Sequence, residues 1–97
     1  MKIIAIEHEN TTATSEQIQG HLEDEANCLW DLVQSGVVRE TYFHAKLHTA
    51  VLVLECQDIL EAERHLAQLP LVKNRLITFE LLPLVPYSGF ERLFSSY

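Results

Sequence analysis

The chain has 97 residues and a mass of 11.1 kDa, which is enough for one small domain and too little for a second hydrophobic core. Apolar residues make up 47% of it, so a folded rather than a disordered chain is expected. Seven basic against 14 acidic side chains give a net charge of −7. This charge argues against duplex DNA or an anionic membrane as the main partner, since both attract basic patches.

Targeting and cofactor signals are equally sparse. No apolar run approaches the roughly 20 residues of a membrane-spanning helix, and the run at residues 3–6 is too short for a signal-peptide core. We therefore expect a cytoplasmic protein. The two cysteines are far apart in sequence, so no disulfide framework is predicted, and three glycines are too few for a glycine-rich phosphate loop. The five histidines show neither H-x-H nor H-E-x-x-H spacing, so no metal site is predicted. No cofactor is predicted.

Hydrophobic periodicity predicts the element order strand, helix, strand, strand, helix, strand, with bounds at residues 2–8, 15–35, 37–45, 48–56, 59–68 and 76–82. Thr14 with Gln17 is typical of a capping box, and Asp58 of an N-cap. Gly36 is the expected stop of the first helix, because a positive φ costs glycine least.

Two β-α-β halves in this order predict a ferredoxin-like βαββαβ fold of the α+β class, with a four-stranded antiparallel sheet. Right-handed crossovers put strands 1 and 3 in the centre and strands 2 and 4 at the edges. Residues 1–83 form the single domain in this interpretation, and residues 84–97 form a C-terminal arm.

The predicted sheet has one face that two helices cannot cover. A half-exposed strand alternates apolar and polar residues, but residues 50–54 (AVLVL) and 3–6 (IIAI) are apolar at every position. We expect a second copy of the chain to bury this face as a dimeric α+β barrel, with a ligand cavity between the two sheets. The arm, rich in aromatic residues, then packs on the partner subunit; the alternative is that it folds back on its own chain.

One carboxylate interrupts the apolar side of the first helix. Ile18, Leu22, Glu25, Leu29 and Leu32 follow one another at spacings of four, three, four and three residues. Burial would raise the pKa of Glu25, which suits a general acid or base near neutral pH. Alternatively, a small rotation of the helix turns the neighbouring alanine inward and Glu25 to solvent.

Further candidates lie on the predicted edge strands. Arg39 and Glu40 point to opposite faces of the sheet, so only one of them can face the cavity. Arg39 there could bind a substrate carboxylate, and Glu40 a hydroxyl group. The alternative is that both are solvated charges of an edge strand. Tyr42 shares the parity of Glu40 and His44, and Glu80 interrupts an apolar stretch of strand 4. Tyr42 is a candidate hydrogen-bond donor, and Glu40, His44 and Glu80 are candidate ligand-binding residues.

Six segments spread over nearly the whole chain carry a family resemblance: LWDL (29–32), GVVRE (36–40), AVLVLEC (50–56), LPLV (69–72), FE (79–80) and PYSGF (86–90). Together they resemble the muconolactone isomerase-like proteins of the dimeric α+β barrel superfamily. Residues 71–80 also resemble the YCII-related proteins, whose helix 1 histidine would fall near Glu25, so their acid–base arrangement does not carry over.

The first resemblance implies a cofactor-free enzyme that shifts a double bond in an unsaturated lactone by proton transfer. It implies that Glu25 carries the proton and that Arg39 anchors the substrate carboxylate. The Glu40–Phe43 stretch differs from the family. The leading hypothesis is thus an isomerase of a small organic acid or lactone. Alternatives are a cofactor-free monooxygenase of the antibiotic-biosynthesis type, or a non-catalytic ligand-binding or assembly module.

Overall fold

A computed structural model of the chain describes residues 1–94; Ser95, Ser96 and Tyr97, which belong to the predicted arm, lie outside the described residues. The elements in chain order are β1 (Lys2–Glu9), α1 (Ser15–Gln19), α2 (Leu22–Gln34), β2 (Val38–Phe43), β3 (Ala50–Glu55), α3 (Ile59–Leu66), α4 (Pro70–Lys73), β4 (Ile77–Leu84) and a 3₁₀ turn (Gly89–Leu93).

The four strands form one antiparallel sheet in the order β2-β3-β1-β4. The two halves of the chain each bring one strand to the centre, β1 and β3, and one to an edge. The predicted ferredoxin-like α+β fold and the predicted strand order are both confirmed.

The first helix differs from its prediction because it is broken. Thr14 caps α1 through the predicted capping box, in which its hydroxyl accepts from the Gln17 backbone N–H and the Gln17 side chain accepts from the Thr14 N–H. The helix then ends at Gly20, and α2 begins after His21. Gly36 ends the helical region with φ +84°, as expected from its lack of a side chain.

The strands also differ from their predicted bounds. The prediction extended both β2 and β3 into residues 44–49, but these residues form the turn between the two strands. The ring nitrogen of His44 accepts backbone N–H groups within this turn and so stabilises it. At the other edge β4 runs on through Pro83, which an edge strand tolerates since its outer side needs no N–H donor.

A bulge shifts the register at the start of β2. Val38 pairs with Leu54 and Glu40 with Val53, so Arg39 is the extra residue without a cross-strand partner. A bulge re-aims the side chains on either side of it, and this one decides where Arg39 points.

One face of the sheet carries the core. Ile3, Ala5, Leu52 and Leu54 are buried there in one cluster with Leu32 of α2, Ala62 and Leu66 of α3, and Leu69 just before α4. A second cluster joins Leu71 of α4 to Leu76 and Ile77 at the start of β4, with Ile18 of α1 packed against it. The helices therefore lie on one side of the sheet.

The opposite face has no helix on it. The register places Ile4 beside Val53 and Leu82, and Ile6 beside Val51, all on this open face. In the single chain these side chains are only partly buried, and Leu82 keeps 37% of its surface exposed. The apolar open face that the sequence predicts is present.

The described part of the arm extends away from the domain. Val85, Tyr87, Phe90, Leu93 and Phe94 are 66–83% exposed, and Tyr87 and Phe90 contact each other edge to face at 4.9 Å. The described residues of the arm do not pack on their own domain in the single chain. The prediction that the arm packs on a partner stays a prediction.

Candidate functional site

A pocket of about 430 Å³ lies between the helices and the helix-facing side of the sheet. Helices α1 and α2 and the first residues of α4 form its wall, while β1, β2 and β3 form its floor. Its lining residues are Glu7, Glu9, Ile18, Leu22, Glu25, Ala26, Leu29, Thr41, Tyr42, Phe43, His48, Ala50, Leu52 and Leu71. A mostly apolar pocket of this size with a few polar groups is typical of a small-molecule site.

This location differs from the expected one. The sequence interpretation placed a cavity between the two sheets of a dimer, on the open face. The pocket lies on the helix-facing side of the sheet, within a single chain, where the N-terminal end of α2 is less buried than its C-terminal end. A cavity between two sheets stays a prediction, since it needs a second chain. Leu22, the first residue of α2, remains 47% exposed, whereas Leu32 near its other end is buried in the core.

Glu25 lies in the wall of this pocket. Its Oε1 accepts a hydrogen bond of 2.9 Å from the Leu71 N–H, which is free because it belongs to the first turn of α4. Burial raises the pKa of Glu25; the Leu71 bond opposes that shift, the charge of Glu7 adds to it, and His21 opposes it. The helix orientation in which Glu25 faces solvent and Ala26 alone faces inward is not the one observed.

Glu7 is a pocket residue that the sequence analysis missed. It follows Ile3 and Ala5 on the helix-facing side of β1, and its Oε1 accepts a hydrogen bond of 3.0 Å from the Ala50 N–H. Burial raises its pKa, the Ala50 bond opposes the shift, and the charge of Glu9 adds to it. Its position was predictable from the alternation along β1, since Glu7 points to the same face as Ile3 and Ala5.

Tyr42 lines the pocket but belongs by register to the open face of the sheet. It pairs with Val51, and its hydroxyl donates a hydrogen bond of 2.6 Å to Glu40 Oε1. This bond to Glu40 and the negative charge there raise the pKa of Tyr42. Glu40 itself is exposed and is not among the residues that line the pocket.

Arg39 is likewise outside the pocket lining. As the extra residue of the bulge, it turns back toward the preceding turn, and its Nε donates a hydrogen bond of 2.6 Å to the Gly36 carbonyl. The structure therefore does not bring Arg39 and Glu25 together at the pocket, as an anchor for the substrate carboxylate would require. Sequence parity could not reveal this, since a bulge changes the parity.

His44 and Glu80 have other partners. His44 Nδ1 accepts from the backbone N–H groups of Lys46 and Leu47, so this histidine stabilises the β2–β3 turn. Glu80 lies on the open face of β4, where its Oε1 is 3.0 Å from His8 Nε2. Neither lines the pocket.

His48 is a second pocket residue that was not predicted; unlike Glu7, it lies in a turn and has no strand parity to indicate it. It adopts a positive φ of 56° in the turn before β3, a conformation that non-glycine residues seldom take. Its ring contacts Phe43 at 5.6 Å, and both rings line the pocket. The place of this turn in the candidate site rests on these two rings, which form one side of the pocket.

The charge of the pocket is strongly one-sided. Three lining side chains are carboxylates, Glu7, Glu9 and Glu25, whereas none of the described lining residues is Lys or Arg. Within residues 1–94 no three His, Cys, Asp or Glu side chains are grouped so that they could hold a metal ion. In the same part of the chain, none of the helices has the length and apolarity needed to cross a bilayer.

Solved structures share this fold. A crystal structure of muconolactone isomerase matches with a TM-score of 0.73 at 16% sequence identity, over 92% of this chain and 93% of that one. The 5-chloro-2-hydroxyhydroquinone dehydrochlorinase from Burkholderia phenoliruptrix, in complex with 2,5-dihydroxybenzoquinone, matches with a TM-score of 0.62 at 12% identity, over 92% and 98%. No family model and no curated protein matches the sequence. The chain thus has the fold of muconolactone isomerase, and its resemblance to the YCII-related proteins stays a prediction.

Proposed function

We propose that this protein is a cofactor-independent isomerase that moves a proton within a small, partly apolar ring compound, with Glu25 as the general acid and base. One observation carries the proposal: the Glu25 carboxyl lies in an apolar pocket, held by the Leu71 N–H, with its pKa raised by burial. A carboxyl of raised pKa exchanges protons with weak carbon acids more readily near neutral pH than an ordinary surface carboxylate does.

The charge of the pocket favours an uncharged substrate. A substrate carboxylate would be repelled by Glu7, Glu9 and Glu25, and no basic side chain among the described lining residues offsets them. Of the two substrate classes that the sequence analysis considered, this favours a lactone without a free carboxylate over an organic acid. Arg39, bonded to Gly36, has no role in this proposal.

The two proteins of the same fold act on or bind ring compounds, which supports a ring substrate here. One is a muconolactone isomerase, and the other was solved with 2,5-dihydroxybenzoquinone. The pocket volume of about 430 Å³ can hold a small ring compound, and such a ligand could pack against the rings of Phe43 and His48.

The experiment uses α-angelica lactone, an uncharged unsaturated lactone, in deuterated buffer. Proton NMR follows both the exchange of its α-hydrogens and its conversion to the β-isomer. We expect Glu25→Gln, which keeps an acceptor for the Leu71 N–H, to lower both rates at least about 100-fold after subtraction of the uncatalysed rate. The matched control is Glu23→Gln, an exposed residue of the same helix. Equal rates in the two variants would remove Glu25 from the reaction.

The proposal includes a homodimer formed through the open face. In the described part of the chain, Leu82 and Leu84 of β4 and the apolar side chains of the arm are exposed, and Ile4, Ile6, Val51 and Val53 are only partly buried. A contiguous exposed apolar surface is typical of an interface with another subunit.

A further inference from the structure

Glu7 occupies an unusual place for a charged side chain. The two preceding residues of the same parity, Ile3 and Ala5, are completely buried in the core, and Glu7 continues their row into the floor of the pocket. The ladder between β1 and β3 ends at the pair Ile6 and Val51, one position before Glu7 would face Ala50. The Glu7 carboxylate accepts the N–H of Ala50 at that end.

Glu7 and Glu25 are held in the same way on different sides of one pocket. Each carboxyl is fixed through Oε1 by a backbone N–H, that of Ala50 on the floor and that of Leu71 on the wall. Each bond leaves the second oxygen, Oε2, for a ligand or a proton. A ring compound in the pocket would thus lie against two carboxyl groups from separate layers of the fold.

We propose that Glu7 is the second proton-transferring group of this pocket, so that one carboxyl removes a proton from the substrate while the other delivers one. This inference rests on the proposed isomerase function and adds a named partner to Glu25. The two backbone bonds and the shared pocket carry it.

The electrostatics of the pair fit a division into one acid and one base. Burial raises the pKa of both carboxyls, and the charge of Glu7 raises that of Glu25 further. A negative charge on one carboxyl makes the other harder to ionise, so the pair disfavours the state in which both are ionised. The reaction starts from the arrangement in which Glu7 carries the proton and Glu25 the charge. The other titratable groups facing the pair are Glu9, whose charge acts on Glu7, His21, which opposes the shift of Glu25, and the lining residues Tyr42 and His48.

The reaction step balances without an oxidant or reductant. Ionised Glu25 takes a proton from the carbon beside the lactone carbonyl, breaking that C–H bond and leaving a dienolate. The double bond shifts as protonated Glu7 gives its proton to the γ-carbon, where a new C–H bond forms. The substrate is isomerised; Glu25 now holds the proton from the α-carbon, and Glu7, which gave its own proton to the γ-carbon, is ionised. Exchange with water returns the pair to its first state.

A structural role for Glu7 predicts a different result. If Glu7 only closes the end of the β1–β3 ladder, Glu7→Gln should be nearly silent, because the amide oxygen still accepts from Ala50. If Glu7 delivers the second proton, the same substitution removes a proton donor while it keeps the hydrogen bond. This substitution therefore separates the two roles.

The test compares Glu7→Gln, Glu25→Gln and the control Glu23→Gln with α-angelica lactone in deuterated buffer. For Glu7→Gln we expect isomerisation to fall at least about 100-fold while exchange of the α-hydrogens stays within about 3-fold of the wild type. Isomerisation equal to that of Glu23→Gln, or a parallel loss of exchange and isomerisation, would overturn the inference. Failure of the proposed function itself shows separately, as unchanged exchange in Glu25→Gln.

A second measurement needs no substrate. Carbon-13 NMR titration of the Glu25 carboxyl reports its pKa directly in each protein. Because the charge of Glu7 contributes to the raised pKa of Glu25, that pKa should fall in Glu7→Gln and stay unchanged in Glu23→Gln. An unchanged pKa of Glu25 in Glu7→Gln would mean that the two carboxyls do not act as a pair.

Discussion

Glu7 and Glu25, the two pocket carboxyls whose pKa is raised, make the stability of the fold depend on pH. A carboxyl whose pKa is raised on folding binds its proton more tightly in the native than in the unfolded chain. The native state then binds more protons than the unfolded state, and the free energy of unfolding falls as pH rises. For Glu25 this loss begins near its ordinary pKa of 4.5 and is complete above its raised native value.

We expect Glu25→Gln to remove part of this pH dependence. Between pH 4.5 and pH 7.5, at fixed protein concentration, the wild type should lose stability relative to the variant. One proton limits this slope to about 1.4 kcal/mol per pH unit, and the partial exposure of Glu25 makes it smaller. Urea unfolding curves at four pH values measure it, with Glu23→Gln as the control. A wild type that gains stability relative to Glu25→Gln over this range would contradict the sign.

Between elements, two glycines end helical segments in different ways. Gly20 has an ordinary helical φ of −63°, and a methyl group added there would meet backbone oxygens no closer than 3.6 Å. Gly36 has φ +84°, where a side chain strains the backbone even though the nearest atoms are 3.9 Å away. The break between α1 and α2 therefore does not depend on glycine, whereas the turn into β2 does.

The two Gly→Ala variants form a matched pair. Gly36→Ala should lower the free energy of unfolding by about 1–2 kcal/mol, the cost of a left-handed conformation in an L-residue. Gly20→Ala should be neutral or raise it by up to about 1 kcal/mol, since it restricts the unfolded chain without native strain. Urea unfolding at one protein concentration compares them. Equal effects in the two variants would refute the argument from φ.

For the molecule as a whole, the open face carries the argument for a homodimer. Ile4, Val53 and Leu82 lie side by side across three strands and remain accessible to water in the single chain. Burial of such surface contributes about 25 cal/mol for each Å², which suffices for association only if the buried area is large and continuous. Val53 lies on one of the two central strands and pairs with Ile4, which makes it a suitable residue for a test.

Val53→Glu should therefore convert a dimer to a monomer. A carboxylate within an apolar interface loses its hydration, which opposes association. A two-fold axis also brings the same carboxylate of the partner into the interface, so the two negative charges repel each other. We expect the dissociation constant to rise at least about 100-fold, corresponding to about 2.8 kcal/mol. Sedimentation velocity measures it, and Asn27→Glu on the exposed side of α2 is the control. A wild type that is monomeric at micromolar concentration would refute the proposed dimer.

Local and periodic signals were enough to predict the order of the four strands and of the two helical regions between them, the helix caps at Thr14 and Asp58 and the stop at Gly36. The break in the first helix and the short helix α4 were not predicted. The same signals also predicted the apolar open face, and the spacing of Glu25 within an apolar stripe led to a residue that faces the pocket. These features depend on residues that are near one another in sequence, or on a parity that holds along one strand.

The position and composition of the pocket depend on contacts between distant residues. The bulge that turns Arg39 to Gly36 exists only in the pairing of β2 with β3. The carboxylate of Glu7 is held by the Ala50 N–H, where the ladder between β1 and β3 ends. The pocket lies on the helix side because α2 leaves a space above the sheet there, which α4 closes with Leu71. Periodicity within one element carries no information about such contacts, since they arise from register and packing between elements that are far apart in the chain.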